Sequence, residues 1–203
     1  MSENKIDITS TAIEKGIDLV KGFLDKLIGA PIEEYGLIFA DNVRLRRFRN
    51  QIKIVSKAQK IIEQSNINIK QISIKTLVPL LEYSSLEDDE SIQDKWSNMI
   101  VNFADVNETY ESSIFPFILS QVSRNEIEII FKMYNDFQHD SFSRYKAVGI
   151  ERDNLIRLGL VDSTIPTKFK QMIFLPFVRL TDNVIINDLG LQFVKVCSSR
   201  NNI

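Results

Sequence analysis

The chain has 203 residues, 44% hydrophobic and 26% charged, a balance that supports a real core in one large or two small domains. Its formal net charge of −2 excludes a global field that would draw it to nucleic acid or to an anionic membrane. Its one cysteine, Cys197, excludes an intrachain disulfide framework and a cysteine-rich zinc site, and no stretch has the ~18 continuous apolar residues of a spanning helix.

In chain order, the polar start Met1-Ser-Glu-Asn-Lys leads into no apolar run of signal-peptide kind, so a cytoplasmic location is expected. Thr9 or Ser10 can cap a first helix whose apolar residues Ile13, Ile17, Val20, Leu24 and Leu27 step by three and four. That helix is read as a bundle element. The alternative is a membrane-surface helix, but its polar face mixes acids and bases, so its pull toward lipid is weak. Gly29 to Pro31 ends it. A long helix is then expected over Pro31 to Gln64, with Pro31, Glu33 and Glu34 in its first turn and Leu45, Phe48, Ile52, Val55 and Ile62 as its apolar stripe. Its remaining surface carries Arg44, Arg46, Arg47, Arg49, Lys53, Lys57 and Lys60, with no acid between Asn42 and Ile62.

Ser65 to Ser73 reads as a polar loop, and Lys75 to Ser84 as a short buried helix with Pro79 near its start or at a kink. Ser85 and Asp88 have capping-box spacing ahead of a helix with Ile92, Trp96, Met99, Ile100 and Phe103 on its core face. Ser112 to Val122 is apolar. Ser123 and Glu126 form a second capping box, with Ile127, Ile130, Phe131, Tyr134 and Phe137 following as a core face. From Asp140 the pattern changes: a helix over Ile150 to Leu158, Gly159 in the left-handed position after it, a polar stretch, a strand over Met172 to Thr181, and a last helix near Asp188 to Val196. That order is a winged-helix order. The expected fold is therefore mainly α: a helical domain over 1–122 built on one long helix, then a winged-helix-like α+β domain over 123–203.

The chemistry-bearing residues are few. The basic run can dock a protein partner through Arg46, Arg49, Lys53 and Lys57, which span one side of a helix, or meet nucleic-acid phosphates. The plainer reading is that Glu87 to Glu90 and Asp94 sit across from it and answer its charge within the chain. The winged unit offers Arg152, Arg157, Lys168 and Lys170 as nucleic-acid contacts. However, Glu151 and Asp153 cancel the helix locally, and residues 123–203 have a net charge of only +2. His139 has no partner set for a metal, Cys197 and Trp96 read as core, and the consecutive acids 87–90 point in different directions around a helix. There is no phosphate loop, HExxH or nucleophile elbow. No catalytic residue, cofactor or metal is expected, and no enzyme activity is assigned.

Two blocks carry a family resemblance. Gly29-Ala-Pro-Ile-Glu-Glu-Tyr-Gly-Leu-Ile is followed by Asp41, Arg44, Arg47-Phe48 and Asn50-Gln51. Further on come Val78-Pro-Leu-Leu-Glu-Tyr-Ser-Ser-Leu-Glu-Asp-Asp-Glu and Gln93-Asp-Lys-Trp-Ser-Asn. With Asn154-Leu-Ile-Arg-Leu-Gly-Leu, these make residues 25–200 resemble the abortive-infection alpha family. The resemblance implies bacterial defence against phage and carries over no catalytic residue. The expected function is phage defence by binding a partner protein from host or phage. The alternatives are a nucleic-acid-binding winged-helix regulator and a membrane-perturbing effector acting through helix one. Self-association through the long helix is also open.

Overall fold

The computed structural model describes residues 22–23, 25–27, 42–108, 110–140, 144–146, 149–164 and 183–199. The side chains of residues 42–45, Arg44 and Leu45 among them, lie outside that set. So do residues 28–41, where the long helix was expected to begin, most of helix one, the Met172 to Thr181 strand, Lys168 and Lys170. The described chain is mainly helical with one small three-stranded antiparallel sheet, and it divides into two compact units between Phe117 and Ile118.

The first unit is built on α1 (Asn42–Gln64), α2 (Ile74–Ser84) and α3 (Glu90–Ala104). Its core draws Ile54, Val55, Ala58 and Ile62 from α1, Leu77 and Leu80 from α2, and Ile92, Trp96, Met99, Ile100 and Phe103 from α3. Phe23 and Leu27, both helical, are also buried. The core face of α1 is therefore turned from the expected stripe. Gln51, Ile54, Val55, Ala58 and Ile62 face inward, while Phe48 and Ile52 are half-buried. The correction has a physical reason: Ala58 is small enough to be fully buried, and Gln51 is usable in the core because its amide reaches the Leu81 carbonyl at 2.9 Å.

The strand of loop between α1 and α2 is tied down at several points. Asn66 takes a left-handed φ of 50° just after α1, a conformation asparagine tolerates. Ile69 bridges to Asp105, and the Ile72 N–H donates to the Leu27 carbonyl at 2.9 Å. Pro79 lies inside α2 rather than at its start. The expected capping box at Ser85 and Asp88 does not form. Asp89 caps α3 instead, accepting from the Ser91 and Ile92 N–H groups, and Ser85 closes α2 as a buried residue. Asp89 directly precedes the helix, so its carboxylate reaches the first N–H groups that Ser85, four residues earlier, does not.

A short helix α4 (Ile114–Leu119) runs across the division between the units. The second unit then contains α5 (Arg124–His139), β1 (Tyr145–Lys146), α6 (Gly149–Arg157), β2 (Val161–Ser163), β3 (Asn183–Ile186) and α7 (Asp188–Cys197). Ser123 and Glu126 form the expected capping box. On α5, Ile127, Ile130, Met133 and Tyr134 are buried, with Phe131 and Phe137 only half-buried. The sheet order is β1-β3-β2, with Tyr145 opposite Val184 and Val161 opposite Ile186. Alternation puts Val184 and Ile186 inside and Ile185 outside. Gly159 has a φ of +70°, which lets the Leu160 N–H return to the Leu155 carbonyl at 3.0 Å and closes α6. Phe193 and Cys197 of α7 are fully buried, as the sequence pattern expected of the cysteine.

Candidate functional site

The basic run of α1 faces the α2–α3 turn and the first turns of α3. Lys53 pairs with Glu90 at 2.6 Å and Lys57 with Asp94 at 2.6 Å. Both partners advance by four residues, so α1 and α3 lie parallel along this edge, with α2 as the return. Arg46 adds a third rung, an ion pair to Asp88. The acids at Asp88, Glu90 and Asp94 thus answer the cations within the chain.

Beneath this ladder a second row of contacts fastens α1 to the turn. Arg47 Nε donates to Ser85 Oγ at 2.9 Å, and Ser85 Oγ donates on to the Glu82 carbonyl. Asn50 Nδ2 reaches both the Ser85 carbonyl and Asp88 Oδ1 at 3.1 Å. Gln93 Nε2 holds the Glu87 carbonyl at 2.8 Å, and Ser97 Oγ donates to the Ile54 carbonyl at 3.0 Å. Arg47, Asn50 and Gln51 belong to the first resemblance block, while Leu81, Ser85 and Asp88 belong to the second. The two blocks are bound to each other. Sequence reasoning placed the acidic segment opposite the basic one but missed this clamp, because nothing in periodicity marks which polar residue crosses to a carbonyl.

Of the four residues expected to form a docking face, Arg46, Lys53 and Lys57 are therefore engaged by Asp88, Glu90 and Asp94. Arg49 is exposed and has no ion-pair partner among the described residues. The pairs remain at the surface, with Arg46 74% and Glu90 75% exposed at the side chain, so each adds little stability on its own.

The ladder sets a pH dependence. Hydrogen bonds from Asn50, then from Arg46, hold the Asp88 carboxyl below its ordinary range. Lys53, by hydrogen bond and then by charge, does the same for Glu90, with Lys57 adding to it. Because the folded state favours the charged forms, their contribution is complete at neutral pH. It fades as pH falls below the ordinary carboxylate values of about 4 and on through the lowered ones. In a melting series from pH 7 to pH 3, a variant with Arg46, Lys53 and Lys57 all changed to glutamine should lose less melting temperature than the parent. Parallel curves would show that the ladder has no such linkage.

In the second unit the expected nucleic-acid contacts separate. Arg152 has a side chain only 13% exposed, paired with Asp153 at 2.9 Å and bonded to Ser163 Oγ at 3.1 Å. Arg157 is exposed, and its Nε and Nη2 both donate to Asn154 Oδ1, at 2.9 and 2.7 Å. Asn154 in turn donates to the buried Glu126 at 2.7 Å, and Glu126 accepts from the Ser123 N–H at 2.6 Å. Lys168 and Lys170 lie outside the described residues.

Among the described residues no group of three His, Cys, Asp or Glu could hold a metal ion, and no helix is long and apolar enough to cross a membrane. Helix one, the membrane candidate, falls mostly outside the described residues.

A family model described as abortive infection alpha matches residues 40–152. The match takes in both sides of the α1–α3 clamp. No curated protein and no solved structure matches the chain.

Proposed function

The chain belongs to the abortive infection alpha family, and from that premise we propose that it is a bacterial phage-defence protein that acts by binding a protein partner. The observation that carries the binding mode is the exposed charge ladder along α1 and α3. Its alternating cations and carboxylates are fixed by a clamp of hydrogen bonds beneath them. A partner with the opposite alternation gains specificity from such a surface more than raw affinity. Arg46, Lys53 and Lys57 are its cationic members, and Arg49, exposed on the same helix, adds a further positive charge beside them.

The test is protection of a bacterial culture against phage by the full chain. Changing Arg46, Lys53 and Lys57 together to glutamine removes the ladder without placing a new charge against Asp88, Glu90 or Asp94. Protection should fall roughly tenfold or more, with the melting temperature at pH 7 within a few degrees of the parent, since exposed pairs hold little of the fold. Full protection by this variant would end the proposal.

A second reading has one observation in its favour. The order α5, β1, α6, β2, β3, with β3 between the other strands, fits a winged-helix arrangement. In that arrangement Arg157 is an oriented guanidinium held by a neutral amide. As a DNA-contacting regulator the chain would bind duplex DNA with an affinity that drops steeply with salt. Absence of binding at ~50 mM salt disposes of that reading.

A further inference from the structure

We propose that the charge ladder of α1 and α3 is self-complementary and that its occupant is a second copy of this chain, docked about a two-fold axis parallel to the two helices. The inference rests on the partner-binding reading above and names the partner. The rungs fix where the charges stand. Arg46, Lys53 and Lys57 form a positive column on α1, and Asp88, Glu90 and Asp94 form a negative column beside it. Arg49 and Lys60, both exposed, share a sector of about 80° with the cations of the rungs, so they add to the positive column. Glu87 and Asp89, in the turn before α3, have the sign of the negative one. The charges of opposite sign on these helices stand apart from the rungs. Lys95 is about 100° round α3 from Asp94. Glu63 lies beyond the last rung and accepts from Gln59 Nε2 at 2.8 Å.

Two parallel columns of opposite sign have a property that a single charged row lacks. A half-turn about an axis along the helices lays the positive column of one copy on the negative column of the other, and the reverse. One patch then serves both copies, as an isologous interface requires. The same geometry disfavours a polyanion, because Glu90 and Asp94 already hold carboxylates 2.6 Å from the ammonium groups it would need. The side chains of Arg46, Asp88, Glu90 and Asp94 are each more than half exposed, so a cation can turn from its own carboxylate to one on the facing copy. The 15 residues of α3 make the strip about 22 Å long, and two helices make it about 20 Å wide. That footprint is at the low end for a specific interface. The dimer is therefore weak, with a Kd of about micromolar order, and it is sensitive to salt.

The experiment is sedimentation velocity of the full chain up to about 200 μM, at ~50 mM and ~500 mM salt. The parent should dimerise reversibly at low salt and be monomeric at high salt. The variant with Arg46, Lys53 and Lys57 changed to glutamine should be monomeric at both. Asp88→Asn, Glu90→Gln and Asp94→Asn combined test the other column without a new charge and should also give a monomer. A polarity-exchanged chain has Arg46, Arg49, Lys53, Lys57 and Lys60 changed to glutamate and Asp88, Glu90 and Asp94 to lysine. It keeps its internal rungs with the signs reversed. It should dimerise with itself at low salt but not with the parent, because the mixed pair sets like charges together. A parent that stays monomeric at about 200 μM and ~50 mM salt overturns the proposal. So does a dimer that survives in the glutamine variant, or a mixed dimer of parent and exchanged chain. If the parent is monomeric and the glutamine variant still loses protection against phage, partner binding stands and only the second copy is wrong. Full protection by the glutamine variant ends both.

Discussion

Changing Trp96 to alanine should destabilise the first unit by about 3–5 kcal/mol, the largest loss expected from any single truncation in it. Trp96 is 1% exposed and heads the fully buried side chains by size. It lies on α3 one turn from Ile92 and one from Ile100, both buried, and the helix beside it is fastened to α1 by Ser97 bonding the Ile54 carbonyl. The parallel helices cannot close over the void without shifting rungs that the ladder and the clamp hold in register. The cost therefore includes a cavity as well as lost transfer energy. Against a typical domain stability of about 5–15 kcal/mol, the variant is at the edge of unfolding at 37 °C. Trp96 is the only tryptophan, so its fluorescence reports the parent's transition and must be replaced by circular dichroism for the variant. Trp96→Phe should recover much of the loss. An unfolding free energy for Trp96→Ala, from urea titration, within ~1 kcal/mol of the parent would show that the tryptophan does not fill the core.

Much of this architecture is legible in the chain. The capping box at Ser123 and Glu126, the left-handed Gly159, the buried Trp96 and Cys197, and helices near 74–84, 149–157 and 188–197 all follow from local chemistry that tertiary packing did not override. The answer to the basic run was legible too, since an acidic segment was present to meet it. What the sequence did not disclose was rotation and crossing. A helix with apolar residues at 48, 52, 54, 55, 58 and 62 admits more than one inward face, and the choice fell to the small Ala58 and to Gln51, whose amide found a carbonyl on α2. Likewise, Ser85 and Asp89 are both good caps. Which one caps depends on where α3 starts, and that is set by Asn50 and Arg47 pulling the turn toward α1. The candidate site was thus visible as composition and hidden as geometry: the charges were countable, but which of them would be paired, and by which carboxylate, was not.

Gly190→Ala should destabilise the second unit by about 3 kcal/mol, although helix propensity alone argues the reverse. Gly190 is in the first turn of α7, where alanine would favour the helix by about 1 kcal/mol. Sterics decide against it. A Cβ at this position would lie 2.8 Å from Ile186 Cγ1, 3.1 Å from the Leu160 carbonyl carbon and closer still to its oxygen. The obstacle is backbone, so no rotamer change relieves it. To make room, α7 must move off the turn that closes α6. That movement breaks the Asn187 N–H bond to the Leu160 carbonyl and the Asn187 Nδ2 bond to the Gly159 carbonyl at 2.9 Å. Asn187 is also the cap of α7, accepting from the Gly190 N–H at 3.0 Å, so the helix start loosens with it. Gly22 provides the contrast, because a Cβ there meets nothing within 4 Å in a helical residue. Gly22→Ala should be neutral or stabilising by up to ~1 kcal/mol. If urea unfolding gives the two glycine variants the same sign, close approach of α7 to Leu160 is not what holds this unit together.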